Sequence, residues 1–391
     1  MSEEAAAPKA PRFLWLFALA WAGGAIAYVP FLTILLPLRV IVMSGADGVR
    51  MIAIITFLGA ICASAGNILF GWLSDRSGVR KPWVLAGLVL SQALLVALPL
   101  SNSTWTTVVL ILLWQLALNM MLGPLSAWAA DRVPRKRTGF LGGLMALSPA
   151  LGALSGVIVT VPGLADADQR LWLVSAMVAA CVLPVVLVER DARAHVQPDH
   201  AAAERPRRHF ALTMWAARLL VQIAEAALFA YLLLYFRSLD PLIQDSRVAR
   251  LFSAVLAAAV PVAIVAGRIA DRSARPALPL AVCALCSGLG LLGLAGATTI
   301  GEATLAYVWF GVATTVFLSL HSGQTLLVLP NPAHRGRDLG LFNLTNTVPS
   351  MIMPWLTVIL VPERGFPALF AILALLALAA SALLFSIKRL D

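Results

Sequence analysis

The chain has 391 residues, 60% of them apolar and only 12% charged, with a formal net charge of +10. About a quarter of the residues of a soluble domain carry charge, so this composition excludes an ordinary soluble globule and points to a membrane. The basic residues are scattered over loop ends and form no clustered face with a reading element, which excludes nucleic acid as a partner.

Residues 1–12 read as a short polar tail. Twelve apolar runs of roughly 18 to 25 residues follow, each long enough to cross about 30 Å of hydrocarbon, and they predict helices instead of barrel strands. Their limits are 13–37, 51–73, 83–100, 105–129, 139–161, 171–188, 210–236, 248–267, 277–298, 303–329, 340–361 and 367–387. The first run is interrupted by Pro30 and lacks a small-residue cleavage site, so it reads as a retained span and not as a signal peptide. Lys and Arg favour cytoplasmic loops, and all four Lys fall on one side when both termini are placed in the cytoplasm. A cell (inner) membrane protein with both termini inside is expected.

Between the second and third runs lies Gly71-Trp-Leu-Ser-Asp-Arg-Ser-Gly-Val-Arg-Lys81. Gly71 permits close helix approach, and Gly78 supplies a tight turn. Asp75 owes nothing to the positive-inside rule and is placed to meet the positive N-terminal end of a neighbouring helix. From Gly267 the order Gly-x-x-x-Asp-Arg-Ser returns, with Asp271 and Arg272 standing 196 residues after Asp75 and Arg76. Asp131–Gly139 and Leu329–Asp338 lead into spans five and eleven at a similar separation. The longest polar segment, 189–209, lies between these copies. It reads as a cytoplasmic linker joining two six-helix bundles, 13–188 and 210–391, in one orientation.

These motifs carry a resemblance. "GWLSDRSGVRK" looks like the G-x-x-x-D-R-x-G-x-R-K signature between spans two and three of the major facilitator superfamily, and its second copy sits between spans eight and nine. That copy departs from the pattern, with Ala274 in place of Gly78 and Pro276 near the position of Arg80. The resemblance implies an all-α integral membrane protein of twelve transmembrane helices in two pseudo-symmetric six-helix bundles, a secondary transporter working by alternating access. It further implies that Asp75 meets the start of span eleven near Gly340, and Asp271 the start of span five near Gly139. Gly71, Asp75, Arg76, Gly78, Arg80, Asp271 and Arg272 would then form a conformational latch.

Charge inside a span is expensive and therefore functional by default. The seventh run holds Arg218, Gln222 and Glu225 on one helical face, with Arg218 and Glu225 about 10 Å apart along the axis. Glu225 is read as the group that binds and releases a proton, with Arg218 as its charge partner or as a contact for substrate hydroxyls or anions. Gln115 and Asn119 on span four, His321 on span ten, Asn343 and Asn346 on span eleven, and Tyr28 and Tyr231 are candidate substrate contacts beside Gln222. Each has an alternative reading as a packing or helix-joining residue.

The segments 335–356 and 130–143 resemble the span-eleven and span-five entries of proton-coupled sucrose and glycoside symporters, which implies uptake of a sugar or glycoside with protons, or sodium in their place. Against this, Ser148-Pro-Ala-Leu-Gly-Ala153 resembles a degraded G-P-x-x-G-G signature of drug/proton antiporters, so export of amphipathic compounds is the alternative. A non-transporting sensor is more remote. No nucleophile elbow, P-loop or metal-ligand cluster is present in the sequence, so no enzyme, cofactor or metal is expected. Cys283 and Cys286 read as small packing residues. The partners expected are a small-molecule substrate, the coupling ion and the lipid bilayer, with the protein a monomer.

Overall fold

The computed structural model describes residues 10–44, 48–101, 103–189, 208–273, 275, 277–329 and 332–387. Most of the expected linker and of the N-terminal tail, together with Ala274 and Pro276, lies outside the described residues. Those described are helical almost throughout: α1 Ala10–Pro30, α2 Leu36–Ser44, α3 Gly48–Ser77, α4 Lys81–Ala97, α5 Thr104–Arg132, α6 Thr138–Met145, α7 Leu147–Val159, α8 Gln169–Val188, α9 Arg208–Leu239, α10 Asp245–Arg272, α11 Ala277–Gly296, α12 Ile300–Thr325 and α13 Arg335–Phe385. Among the described residues, eleven segments are long and apolar enough to cross a membrane. The twelfth expected span, 340–361, is helical as the first part of α13.

Two of the departures from simple helical runs each trace to a single residue. Pro30 has no N–H and its ring crowds the preceding turn. The chain answers with a widened turn over Phe31–Leu35, where the Leu36 N–H bonds the Phe31 carbonyl, and continues helical to Ser44. The first span therefore runs past its expected end at residue 37, to Val40. In α13 the break falls at Gly365, with φ 72° and ψ 177°, and it separates the last two apolar runs.

The chain forms two compact units. The first comprises Met1–Pro134, Leu147–Pro198 and Asn331–Leu344; the second comprises Arg135–Ala146, Asp199–Pro330 and Thr345–Asp391. In the first, α3 and α4 pack on α5, and α1 packs on α7 and α8. Its largest enclosed side chains are Trp114 and Trp128, with Phe31 meeting the edge of Trp114 at 4.8 Å between ring centroids. In the second, α10 and α12 pack on α6, and α11 packs on α12. Tyr235 centres an aromatic cluster with Phe236, Phe366 and Phe370, and its hydroxyl donates to the Leu294 carbonyl at 2.9 Å. Outer helix faces carry exposed apolar side chains such as Val89, Val157, Val265, Leu305 and Leu375, as hydrocarbon requires.

Two close helix crossings, one in each unit, bring the two copies of the Gly-x-x-x-Asp motif onto a partner backbone. In the first, Gly71 of α3 lies against the Gly336 carbonyl of α13. In the second, Gly267 of α10 lies against the Gly139 carbonyl of α6. A Cβ at any of these four positions would collide with backbone, so the approach requires glycine on both sides. Gly78 is needed for another reason. It has open space around it but a φ of +69°, where an L side chain is strained.

The two reasons separate experimentally. Gly71→Val should abolish monodisperse protein on size-exclusion chromatography, while Gly78→Ala should fold and melt only a few degrees lower, in line with a penalty of about 1 kcal/mol. Equal tolerance of both changes would refute the close crossing.

Candidate functional site

At each crossing the residue four positions after the glycine is an aspartate, which helical geometry places one turn on and on the same face. Asp75 Oδ1 accepts from the Gly336 N–H at 2.9 Å and Oδ2 from the Arg337 N–H at 3.0 Å, at the first turn of α13. Asp271 Oδ1 accepts from the Gly139 N–H at 2.7 Å and Oδ2 from the Phe140 N–H at 2.8 Å, at the first turn of α6. Each carboxylate satisfies two helix-terminal N–H groups that lack intrahelical acceptors and sits at the positive end of a helix dipole, an arrangement worth up to about 2 kcal/mol when partly buried. The Asp271 partner is the expected one. The Asp75 partner lies three to four residues before the expected Gly340, which instead packs its backbone on Ile68.

Around Asp75 the first crossing carries an ion cluster. Arg80, with its side chain 3% exposed, donates to Asp75 at 2.8 Å, to Asp131 Oδ2 through Nε at 2.9 Å and to Ser74 Oγ at 2.6 Å. Asp131 Oδ1 then accepts from Arg335 at 3.1 Å. In the second crossing, Asp271 makes no such ion pair among the described residues, and Arg268 lies over the Phe140 ring at 5.3 Å. Two expected latch members stand apart from the crossings. Arg76 is exposed and stacks over Trp72 of its own helix at 5.7 Å, because its position on α3 points it away from Asp75. Arg272 is exposed as well. Glu189, read as the first linker residue, is buried and bridges Arg12 at 3.1 Å and Arg132 at 2.8 Å.

The second candidate site lies on α9. Arg218 is buried, and its Nη1 contacts the Leu318 carbonyl at 3.3 Å, His321 Nδ1 at 3.3 Å and Ser322 Oγ at 3.0 Å; Nη2 donates to Asn346 Oδ1 at 3.1 Å. His321 is fully enclosed, with Nε2 at 2.9 Å from the Met214 carbonyl. A carbonyl only accepts and a guanidinium only donates, so these partners fit the neutral ring with its proton on Nε2. His321 therefore positions Arg218 and offers no free edge to a substrate, which is the structural one of its two readings and not the direct contact. One turn along α9 from Arg218, Gln222 Nε2 donates to Glu225 Oε2 at 2.7 Å. No ion pair joins Arg218 to Glu225 among the described residues.

The other expected contacts fall in different surroundings. Asn119 donates to the Gln115 carbonyl at 2.9 Å and accepts from Asn67 Nδ2 at 3.1 Å, so it joins α3 to α5. Gln115 is buried against Gly59. Tyr28 is 42% exposed, Tyr231 is half-buried beside the Tyr235 aromatic cluster, and Asn343 is half-buried on α13. Asn67 and Ser322 were not singled out in the sequence, because an amide or hydroxyl in an apolar run gives no sign of its partner.

A sequence model described as Major Facilitator Superfamily matches residues 13–331 and 244–390. No curated protein matches the chain. Among solved structures, the human organic anion transporter MFSD10 (TETRAN) superimposes with a TM-score of 0.77 at 13% identity, over 96% of this chain and 100% of that one. The proton:xylose symporter XylE bound to 6-bromo-6-deoxy-D-glucose gives 0.78 at 13% identity, over 96% of each chain.

The ion cluster makes the two aspartates unequal. Asp75→Asn keeps one acceptor, turns the other into an NH2 facing a helix-start N–H and leaves Arg80 short of one counter-charge, a change that costs about 3 to 5 kcal/mol when a buried pair is broken. Asp271→Asn weakens the cap without breaking an ion pair, about 1 to 2 kcal/mol. Thermal melts in detergent should show the larger loss for Asp75→Asn; equal shifts would rule out the cluster's contribution.

Proposed function

The chain belongs to the Major Facilitator Superfamily and is a secondary transporter, not an enzyme; on that premise we propose that it moves a small polar organic solute with protons, Glu225 being the proton-binding group. The observation that carries this reading is the amide pairing of Glu225. Gln222 donates one hydrogen bond to its carboxyl, and no cation lies within ion-pair distance among the described residues. An amide donor serves a carboxylate and a carboxylic acid alike, so the group can gain or lose a proton without breaking an ion pair. Its place in the apolar segment Phe210–Leu228 keeps it from free exchange with bulk water on both sides at once.

The Asp75 and Asp271 crossings supply the mechanical part of the proposal. Each fixes a helix start by two hydrogen bonds to one carboxylate, a contact that forms or breaks as a unit and so suits alternation between two discrete states. With both termini cytoplasmic, these crossings form the latch on the cytoplasmic side. Resemblance of 335–356 and 130–143 to sucrose and glycoside symporters favours a sugar-like cargo moved inward. The fold shared with a proton:xylose symporter is compatible with that cargo. The exporter reading draws less support, because Ser148 and Ala153 stand where its signature has glycines.

Purified protein in liposomes loaded with a pH-sensitive dye tests the proton role. Adding glucose, sucrose or glucuronate outside should elicit lumenal acidification with at least one of them. Glu225→Gln should lose that acidification while still exchanging labelled solute across the membrane. Persistent proton movement in Glu225→Gln would remove Glu225 from the role.

A further inference from the structure

We infer that Arg218 is the receptor for an anionic group of the substrate, so that the transported solute is a hydroxylated organic carboxylate. The inference rests on the transporter reading above and names its substrate class.

Arg218 is a fixed charge within an apolar span, and every acceptor it meets among the described residues is neutral: a backbone carbonyl, a neutral imidazole, a serine hydroxyl and an asparagine amide. A buried cation with no ion-pair partner among the described residues is a poor resting arrangement. The nearest carboxyl along its helix is Glu225, seven residues on and about 10 Å away, and that carboxyl is held by Gln222. The guanidinium also keeps donors in reserve. Of its five N–H bonds, the two on Nη1 and one on Nη2 account for the contacts to the described residues. The Nε–H and a second Nη2–H remain, and two such donors on one planar fork match the two oxygens of a carboxylate.

A second observation sets the remainder of the ligand. Gln222 Oε1, one turn from Arg218 on the same face, is a buried acceptor with no partner among the described residues. It suits a hydroxyl donated by the same molecule. Asn346, which holds the far side of the guanidinium, is exposed, so the cluster is not sealed within its unit. His321 and Ser322 keep the fork aimed, as rigid supports do for a preorganised site.

The test compares glucuronate with glucose, two sugars that differ by a carboxylate in place of a hydroxymethyl group, and adds lactate and benzoate as simpler carboxylates. Binding to detergent-purified protein is read by calorimetry, and charge movement by currents on a solid-supported membrane. Wild type should bind glucuronate roughly tenfold or more tightly than glucose, the scale of a charge-assisted hydrogen-bonded pair. Arg218→Gln should erase that preference. Arg218→Lys, which keeps the charge without the fork, should retain folding and weaken carboxylate binding, and it keeps the test readable if the glutamine variant fails to fold. Glu225→Gln should move no protons yet still distinguish glucuronate from glucose, which separates this inference from the proton role. Equal affinity for glucose and glucuronate, an unchanged preference in Arg218→Gln, or no binding of any of the three carboxylates overturns it.

Discussion

Helix backbones approach closely where glycine removes a side chain, and this protein does so at both copies of its Gly-x-x-x-Asp motif, with glycine on each side of the contact. Once Gly71 lies on Gly336, and Gly267 on Gly139, the aspartate one turn further on arrives at a helix start whose N–H groups have no other acceptor. Glycine contact and carboxylate cap are therefore one device. The glycine sets the distance, and the cap supplies a directional bond that bulk packing between apolar helices cannot give. Repetition of the device about 196 residues apart accounts for the duplicated motif in the sequence.

The two copies are alike in geometry and unlike in charge. Arg80, Asp131 and Arg335 surround the Asp75 cap, while the Asp271 cap stands with a cation over an aromatic ring beside it. A buried network of this kind is held by mutual satisfaction, and removing one member strands the others. The first crossing thus behaves as a cooperative cluster, and the second as a simple hydrogen-bonded cap.

Much of this was legible in the sequence because it was written in periodic or repeated form. Apolar runs gave the helices, the doubled Gly-x-x-x-Asp gave both caps, and three polar residues on one face of the seventh run gave the Arg218 and Glu225 region. What escaped had no local signature. The Arg80–Asp131 and Arg335–Asp131 pairs join residues 51 and 204 positions apart, and Glu189 looked like a linker residue because its partners Arg12 and Arg132 lie far away in the chain. For His321 the sequence leaves open a substrate contact or a structural role, because nothing local shows that the ring is consumed in orienting Arg218. Helix α13 begins before the apolar run at 340: Asp338 in its first turn suits the positive helix end, and Arg335 and Arg337 are offset there by Asp131 and Asp338.

Hydrogen exchange by mass spectrometry on peptides covering 335–342 and 138–145 tests the crossings most directly. Asp75→Asn should speed exchange at Gly336 and Arg337 while leaving Gly139 and Phe140 at their wild-type rates, and Asp271→Asn should do the reverse. Exchange that rises at both helix starts in either variant, or at neither, would contradict the assignment of one carboxylate to each.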